Sequence, residues 1–459
     1  MAQANHDFLQ QLQHVFNKES LLLDPADCWA YGYDNSRRQS QALAVVFPSN
    51  HQQIVDTVKL CNRHHIAITA RGSGTGTTGA SVPSENAIVM STERMDRIIR
   101  IDPKNRLMVV EPGVTNQAIQ EAAAEHGFFW PPDPTSAAIC TVGGNLAYNS
   151  AGPRAVKYGT PRENTLGLTC VTGVGDTLKT GAYTTKSVVG YDLTRLIIGS
   201  EGTLAIISQA TLKLTPLAES KRTIQATYDS LESATLAVTQ IMAQAITPCA
   251  LEFMDGTAIS LVKEDAHLEL PDNAQALLMI EVDGDPFSIE EMTKKVAQSA
   301  STDGLIELKI AQTKQHVQQL WQARKALSPS LRKMAPKKIN EDVVVPVSEI
   351  PSLIRGLEAL SQQYQIPIVN FGHAGNGNIH VNLLAQENQL ALAKQCLAEV
   401  FALVMSLKGS LSGEHGIGLE KRDFINLELE PTALNLMKKI KSQFDPAHLL
   451  NPDKVFPVD

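Results

Sequence analysis

The sequence predicts mixed α and β structure in two or three domains. An α/β domain reaches to about residue 217, and an α+β domain built on an antiparallel sheet covered by helices follows. Three observations lead there. At 459 residues the chain is too long for one ordinary core. Before Pro216, short β-branched runs alternate with one-faced helical stretches in a β-α-β rhythm. After Pro216, strand-like runs at 223–228, 250–254, 276–282 and 305–310 are separated by helical stretches such as Ser230 to Ala245.

In chain order, residues 1–40 read as helical and then irregular. Val45 to Pro48 is a strand ended by its proline. Ser49 or Asn50 can cap a helix from His51 to His65, which places Ile54, Val55, Val58 and Cys61 on one face. Ile66 to Ala70 and residues 87–91 read as strands, Leu107 to Gly113 as strand and turn, and Asn116 to His126 as a helix. Leu168 to Val174 and Leu178 to Gly181 suggest a hairpin across Gly175-Asp176. Residues 194–198, 199–202 and 203–214 read as strand, tight turn and strand.

The stretch Arg71-Gly72-Ser73-Gly74-Thr75-Gly76-Thr77-Thr78-Gly79 follows the strand at 66–70. Its glycines permit positive φ and close backbone approach, and successive N–H groups in such a turn can cradle an anion, above all a phosphate. The threonines add hydroxyl donors and Arg71 a charge. Gly74, Gly76 and Gly79 match G-x-G-x-x-G, but Pro83 and the strand at 87–91 leave no room for the helix that a nicotinamide-binding domain needs. No Gly-Lys-Ser/Thr closes the run, which excludes a P-loop. The bland alternative is a flexible glycine turn. Further glycine turns at Gly143-Gly144 and at Gly199 to Gly202 favour a large phosphate-bearing cofactor.

Composition removes other classes. A net charge of −8 with no basic block argues against nucleic acid. Residues 1–13 lack the apolar stretch of a signal peptide, and no apolar run looks long enough to span a bilayer. Six scattered cysteines without Cys-x-x-Cys encode neither a zinc knuckle nor an iron–sulfur cluster, and suit a reducing cytoplasm.

Two motifs close the chain. In Phe371 to Asn382, His373 and His380 would face opposite ways on an unbroken strand; Gly375 and Gly377 let a loop bring both imidazoles to one point. Ser412 to Gly418 carries Glu414-His415 between glycines. Two histidines and a carboxylate suit Zn²⁺ or a similar divalent ion with open positions, although satisfied loop histidines fit the spacing equally well.

Together these pieces resemble the FAD-linked D-2-hydroxy-acid dehydrogenases: D-lactate dehydrogenase, D-2-hydroxyglutarate dehydrogenase and the flavin subunit of glycolate oxidase, within the vanillyl-alcohol-oxidase type of flavoprotein. The similarity runs from about Tyr33 to Phe456 and is most specific over Pro131 to Gly152, Gly190 to Leu204, Gly372 to His380 and Gly413 to Gly416. It implies an FAD-binding domain of two α/β subdomains (1–217), an inserted cap or substrate domain (218–410), and a segment (411–459) returning to the FAD domain.

On this resemblance Arg71, Gly72, Ser73, Gly74, Thr75, Gly76, Thr77 and Thr78, with Pro134, Thr135 and Ser136, hold the pyrophosphate region. Gly143, Gly144, Asn149 and Gly152 continue the cradle, and Glu201, Gly202 and Ile206 lie along the flavin. Ser73 and Thr77-Thr78 depart from the commoner glycine and Ser-Leu pair without removing a phosphate donor. Arg324 would bind the substrate carboxylate, a task its planar fork suits, though by itself it reads as a surface helix arginine. Ser328, Lys338 and Asn382 would add substrate contacts, with the register around Lys338 ambiguous. His373, His380 and Glu414 would hold Zn²⁺ or Mn²⁺, and His415 would be the base.

The implied reaction is oxidation of a D-2-hydroxy acid, D-lactate first, to the 2-oxo acid. Hydride passes from C2 to flavin N5, and electrons leave for an external acceptor: a quinone, a cytochrome, a flavoprotein or a partner subunit. The resemblance leaves room for a homodimer and for peripheral association at the inner face of a membrane. D-2-hydroxyglutarate and glycolate are the rival substrates. A metal-dependent hydrolase and a non-catalytic nucleotide-binding subunit are the rival classes.

Overall fold

The computed structural model describes residues 2–263, 270–331 and 334–457. Met1 and residues 458–459, at the ends of the expected domains, lie outside the described residues. The chain forms two compact units. The first comprises Met1–Ala151, Gly159–Leu217 and Glu414–Asp459; the second comprises Gly152–Tyr158 and Ala218–Gly413. The break after Leu217 lies where the sequence texture changes. Residues 152–158 join the second unit because Lys157 and Tyr158 bond the carboxylate of Asp283, Tyr158 Oη at 2.6 Å.

The first unit holds two main sheets, each with its own core, and a two-stranded pairing of residues 128–129 with 215–216. In the first sheet, β1 (Ala44–Val46), β2 (Ile68–Arg71) and β3 (Ile88–Ser91) run parallel in the order β1-β3-β2. Parallel neighbours need a crossover, and α2 (His51–His64) supplies it between β1 and β2. Asn50 caps α2 by accepting from Gln53 N, and Ile54, Val55, Val58 and Cys61 are buried against α1 (Ala2–Val15) and the sheet. The C-terminal segment lies along β2: Ile68 N donates to Leu449 O, and Asn451 N to Ile68 O, both at 2.7 Å.

The second sheet is antiparallel. It contains β4 (Ile98–Asp102), β5 (Leu107–Val110), β6 (Thr165–Thr172), β7 (Thr177–Gly181) and β8 (Ala205–Lys213), in the order β4-β5-β8-β6-β7. Helices α3 (Asn116–Ala124) and α4 (Val142–Tyr148) contribute to its core around the fully buried Trp130, whose Nε1 donates to Asn164 O. One expectation fails here. Residues 194–198 are no strand; Leu193–Ile197 is a short helix, α5, capped by Asp192, which accepts from Arg195 N. The run of Leu, Thr and Ile has strand composition, but the cap supplies a helix start that composition does not weigh.

The second unit is one seven-stranded antiparallel sheet. Its strands are β9 (Ser220–Tyr228), β10 (Ala250–Asp255), β11 (Ala276–Gly284), β12 (Leu305–Ile310), β13 (Lys337–Val344), β14 (Ile368–His373) and β15 (Asn378–Ala385), ordered β12-β9-β11-β10-β14-β15-β13. One face packs on α7 (Gly256–Val262) and α9 (Lys314–Ser330), with Met254, Met279, Leu320, Leu327 and Phe371 in the interface. Helices α6 (Leu231–Ala243), α8 (Ile289–Ala300), α10 (Ile350–Tyr364) and α11 (Leu390–Ser406) complete the unit.

The segment Glu387–Ser406 meets the length and hydropathy of a membrane span, contrary to the sequence reading. Its burial is one-sided. Ala393, Cys396, Leu397, Val400, Phe401 and Val404 are buried, Lys394 and Glu399 are exposed, and Leu403 packs against Gly356 of α10.

Asp255 caps α7 by accepting from Ala258 N and also accepts from Asn370 N. Burial raises its pKa to about 6, against these hydrogen bonds. A carboxyl that titrates higher folded than unfolded stabilises the fold only while protonated. Its contribution is lost as pH rises from about 4 through 6. Denaturant unfolding of wild type and Asp255→Asn across that window should show the wild type losing about 2 kcal/mol relative to the variant; parallel pH profiles would refute this.

Candidate active site

Antiparallel pairing places partners on one face of a sheet. Met254 of β10 pairs with Phe371 of β14, Phe371 with His380 of β15, and His380 with Asp342 of β13. Glu252, His373, His380, Asn382, Asn340 and Lys338 therefore share that face. His373 and His380 meet as diagonal neighbours in a hairpin, with ring centroids 5.4 Å apart and planes at 80°. The expected glycine-broken loop is thus only the tight turn between two regular strands; the strand reversal brings the imidazoles together.

Glu252 lies at the middle of this face with no exposed surface. Its Oε1 accepts from His373 Nδ1 and its Oε2 from Arg324 Nε, each at 2.6 Å. Burial would raise its pKa, but His373 and then Arg324 outweigh burial and hold the carboxyl below its usual range. Arg324 comes from α9 and is itself buried, not the surface arginine its sequence context suggests. Its guanidinium stacks on Phe371, with Cζ 4.9 Å from the ring centroid, and its Nη2 is buried without a hydrogen-bond partner among the described residues. A buried guanidinium N–H of this kind is unstable unless something accepts from it, and a carboxylate fits that need.

With Nδ1 of His373 engaged by Glu252, Nε2 remains as its ligand nitrogen, the usual second contact of a metal-binding histidine. On β13, Asp342 accepts from Ser412 Oγ at 3.0 Å and from Gly413 N at 3.0 Å. This anchors the residue immediately before Glu414. His373 and His380 stand together on this face, and with the carboxylate of Glu414, next in the chain after Gly413, they make up a donor set of the kind that suits a divalent ion.

The other expected substrate contacts differ among themselves. Lys338 Nζ bonds Ser328 Oγ at 2.9 Å, at an exposed position. The β13–β15 register is fixed, with Lys338 opposite Leu384 and Asn340 opposite Asn382. The amide of Asn382 is fully buried and bonds Asn340, Val369 O and His380 O; the neighbouring Asn340 Oδ1 is the atom without a partner. His415 follows Glu414, and its carbonyl accepts from Thr78 Oγ1.

In the first unit the glycine turn fits a phosphate. The backbone N–H groups of residues 73–78 donate to no described residue, and Thr77 Oγ1 is buried without a partner. The turn rests on α4: a Cβ at Gly72 would lie 2.3 Å from Thr141 Oγ1, and one at Gly76 2.5 Å from Tyr148 Oη. Ser73 Oγ donates to Ile139 O, in the loop that follows Pro134, Thr135 and Ser136. Arg71 lies beneath the turn, where its Nη1 donates to Tyr33 O and its guanidinium abuts Gly74.

Other expected cradle residues are engaged within the protein. Gly143 N donates to Pro112 O and Gly144 N to Thr141 Oγ1. Asn149 ends α4 at φ 57° and accepts from Thr160 Oγ1 and Arg162 N. Glu201, at φ 53°, accepts from Ile417 N and Gly418 N. Gly202 lies near Ala70 and Asn451, Ile206 is in the core, and Gly152 belongs to the second unit.

Residues 217–455 match the family described as FAD linked oxidases, C-terminal domain, and residues 42–181 match the FAD binding domain family. The chain belongs to the FAD-linked oxidases. It is 36% identical over 457 residues to glycolate oxidase subunit GlcD of Bacillus subtilis, covering 99% of this chain and 97% of that one. Identity to D-lactate dehydrogenase of Archaeoglobus fulgidus is 35% over 439 residues, 94% of this chain and 96% of that one. Identity to D-2-hydroxyglutarate dehydrogenase of Stutzerimonas stutzeri is 29% over 463 residues, 98% of each.

Among solved structures, p-cresol methylhydroxylase superposes with a TM-score of 0.80 at 16% identity, over 98% of this chain and 96% of that one. The fold is thus of the vanillyl-alcohol-oxidase type, and the chain is an FAD-linked oxidoreductase of the D-lactate, glycolate and D-2-hydroxyglutarate group. That membership sets aside the hydrolase alternative.

Sequence reasoning missed Glu252 and gave Asp342 only a passing role. Glu252 left a signal: a carboxylate in the otherwise apolar run Ala250 to Met254. Gly76→Ala should lower bound FAD several-fold, read as the 450/280 nm absorbance ratio after gel filtration. Gly127→Ala, also in the first unit, meets nothing within 4 Å but places a side chain at φ 78°; as a backbone-strain control away from the turn it should keep its flavin. Full flavin in Gly76→Ala would show that the turn does not hold the cofactor.

Proposed function

We propose that this chain oxidises a D-2-hydroxy acid, D-lactate first, to the 2-oxo acid. The observation that carries the reading is Arg324. It is a buried guanidinium with an N–H that finds no partner among the described residues, packed on the same sheet face as His373 and His380. In this reading Arg324 pairs with the substrate carboxylate while Phe371 and Glu252 fix the plane of its fork. FAD, when bound, supplies a hydride acceptor at N5. A divalent ion held by His373, His380 and Glu414 would supply Lewis acidity beside the 2-hydroxyl. His415 takes the hydroxyl proton.

The chain carries no second redox motif, so an external acceptor takes the electrons. Quinone, cytochrome, flavoprotein and partner subunit are its candidate classes. The resemblance of the Glu341-Asp342 segment to the lactate and glycolate members supports a short substrate. Lys338, the cation best placed to meet a second carboxylate, is bonded to Ser328. Glycolate is the second reading, supported by the 36% identity to a glycolate oxidase subunit.

A panel of D- and L-2-hydroxy acids with an artificial acceptor, read as kcat/KM, tests the choice. D-lactate should lead, no L-acid should compete, and glycolate or D-2-hydroxyglutarate in first place would displace D-lactate. Arg324→Ala should reduce kcat/KM about tenfold to a hundredfold, the worth of a charged hydrogen bond; unchanged kinetics with intact flavin would remove Arg324 from the site. His415→Ala should lose ~10²–10⁴-fold in rate, keep its metal, and recover in part at high pH. Chelation should mimic loss of His373, His380 or Glu414 and be reversed by Zn²⁺ or Mn²⁺. Full turnover by a metal-free sample would end the metal assignment.

A further inference from the structure

We propose that Glu252 is a positioning residue shared by the carboxylate anchor and the metal-binding histidine, so that anion recognition and metal affinity depend on one side chain. The inference rests on the roles given above to Arg324 and His373. A carboxylate is the one side chain that presents two acceptor oxygens and no donor. Glu252 uses one for each partner: Oε1 for His373 Nδ1 and Oε2 for Arg324 Nε. All three side chains are buried, so water cannot replace either bond without opening the sheet–helix interface.

The two bonds do different work. The one to His373 keeps the proton on Nδ1 and thereby leaves Nε2 as the nitrogen with a lone pair for a metal. The bond to Arg324 fixes the guanidinium on Phe371 and leaves Nη2 for an incoming carboxylate.

Glutamine has the same shape but only one acceptor oxygen. If its amide NH₂ faces His373, the imidazole must accept at Nδ1, and the proton moves to the ligand nitrogen. If the NH₂ faces Arg324, two donors oppose each other and the fork turns. Glu252→Gln must therefore lose metal affinity, anion recognition or a share of both.

The same face provides a control. Glu281 on β11 is also buried and also tied to α9, accepting from Trp321 Nε1 at 2.9 Å, and it bonds Lys221 and Thr223 as well. Its hydrogen bonds go to Trp321, Lys221 and Thr223 and leave Arg324 and His373 to Glu252. A merely structural loss on this face should appear equally in Glu281→Gln.

The test uses flavin-loaded enzyme stripped with a chelator. Zn²⁺ affinity is measured by competition with a chromogenic chelator, and KM and kcat are measured separately with D-lactate. Glu252→Gln should weaken Zn²⁺ binding about 10- to 100-fold, or raise KM about tenfold or more, while Glu281→Gln leaves both near wild type. In an Arg324→Ala background, Glu252→Gln should have little further effect on KM.

Wild-type Zn²⁺ affinity and KM in Glu252→Gln would overturn the proposal, and so would equal losses in Glu281→Gln. Should Glu252→Gln not yield folded flavoprotein, Glu252→Asp carries the same two readouts, since it keeps the charge and shortens the reach. A wild type that binds neither Zn²⁺ nor Mn²⁺ would instead overturn the metal site itself, and this inference with it.

Discussion

A carboxylate with no exposed surface must be paired, and the second unit is arranged so that Glu252 is. Ionised in a dry interior, it would cost several kcal/mol if its partners were removed. Two donors from different elements meet that requirement, His373 from β14 and Arg324 from α9. The helix is held at further points along the same face, where His316 meets Gln225 and Trp321 meets Glu281. Apolar contacts such as Leu320 and Leu327 against Met254 and Met279 bury area without fixing register. The directional bonds fix it, and with it the place of Arg324. The stability of the unit and the geometry of its candidate site are therefore the same set of contacts.

The first unit has the opposite character. A run of backbone N–H groups at 73–78 has no partner among the described residues, where buried or partly buried donors are normally paired. What surrounds the run is over-determined. Asn451 donates to Ala80 O and Glu201 O, Glu201 accepts from Ile417 N and Gly418 N, and Leu419 N donates to Thr78 O. Segments distant in sequence thus clamp the C-terminal end of the turn while its middle remains available. That division suits a phosphate cradle, in which the donors must be in place before the anion arrives.

The errors in reading the chain share a cause. The run at 194–198 has strand composition, yet Asp192 starts a helix there. The histidine motif looks like a loop because of its glycines, yet it is a hairpin with a tight turn. In each case local composition was right about the residues and silent about the partner that decided their conformation.

The sequence by itself determined four of the seven strands of the second unit (β9 to β12), the helix at 51–64 with a cap at Ser49 or Asn50, the glycine turn and the two histidine-bearing motifs. These depend on local propensity, periodicity and residue type, which are properties of short windows. Tertiary structure alone decided that Arg324 is buried, that Glu252 joins it to His373, and that Asp342 anchors the residue before Glu414. It also decided that Arg71 supports the turn from beneath and that Asn382 bonds its own sheet. These facts depend on strand order, register and helix placement across separations of up to 121 residues, as between Glu252 and His373. No local window contains that information, because burial and pairing of a polar side chain are set by whatever the completed fold places opposite it.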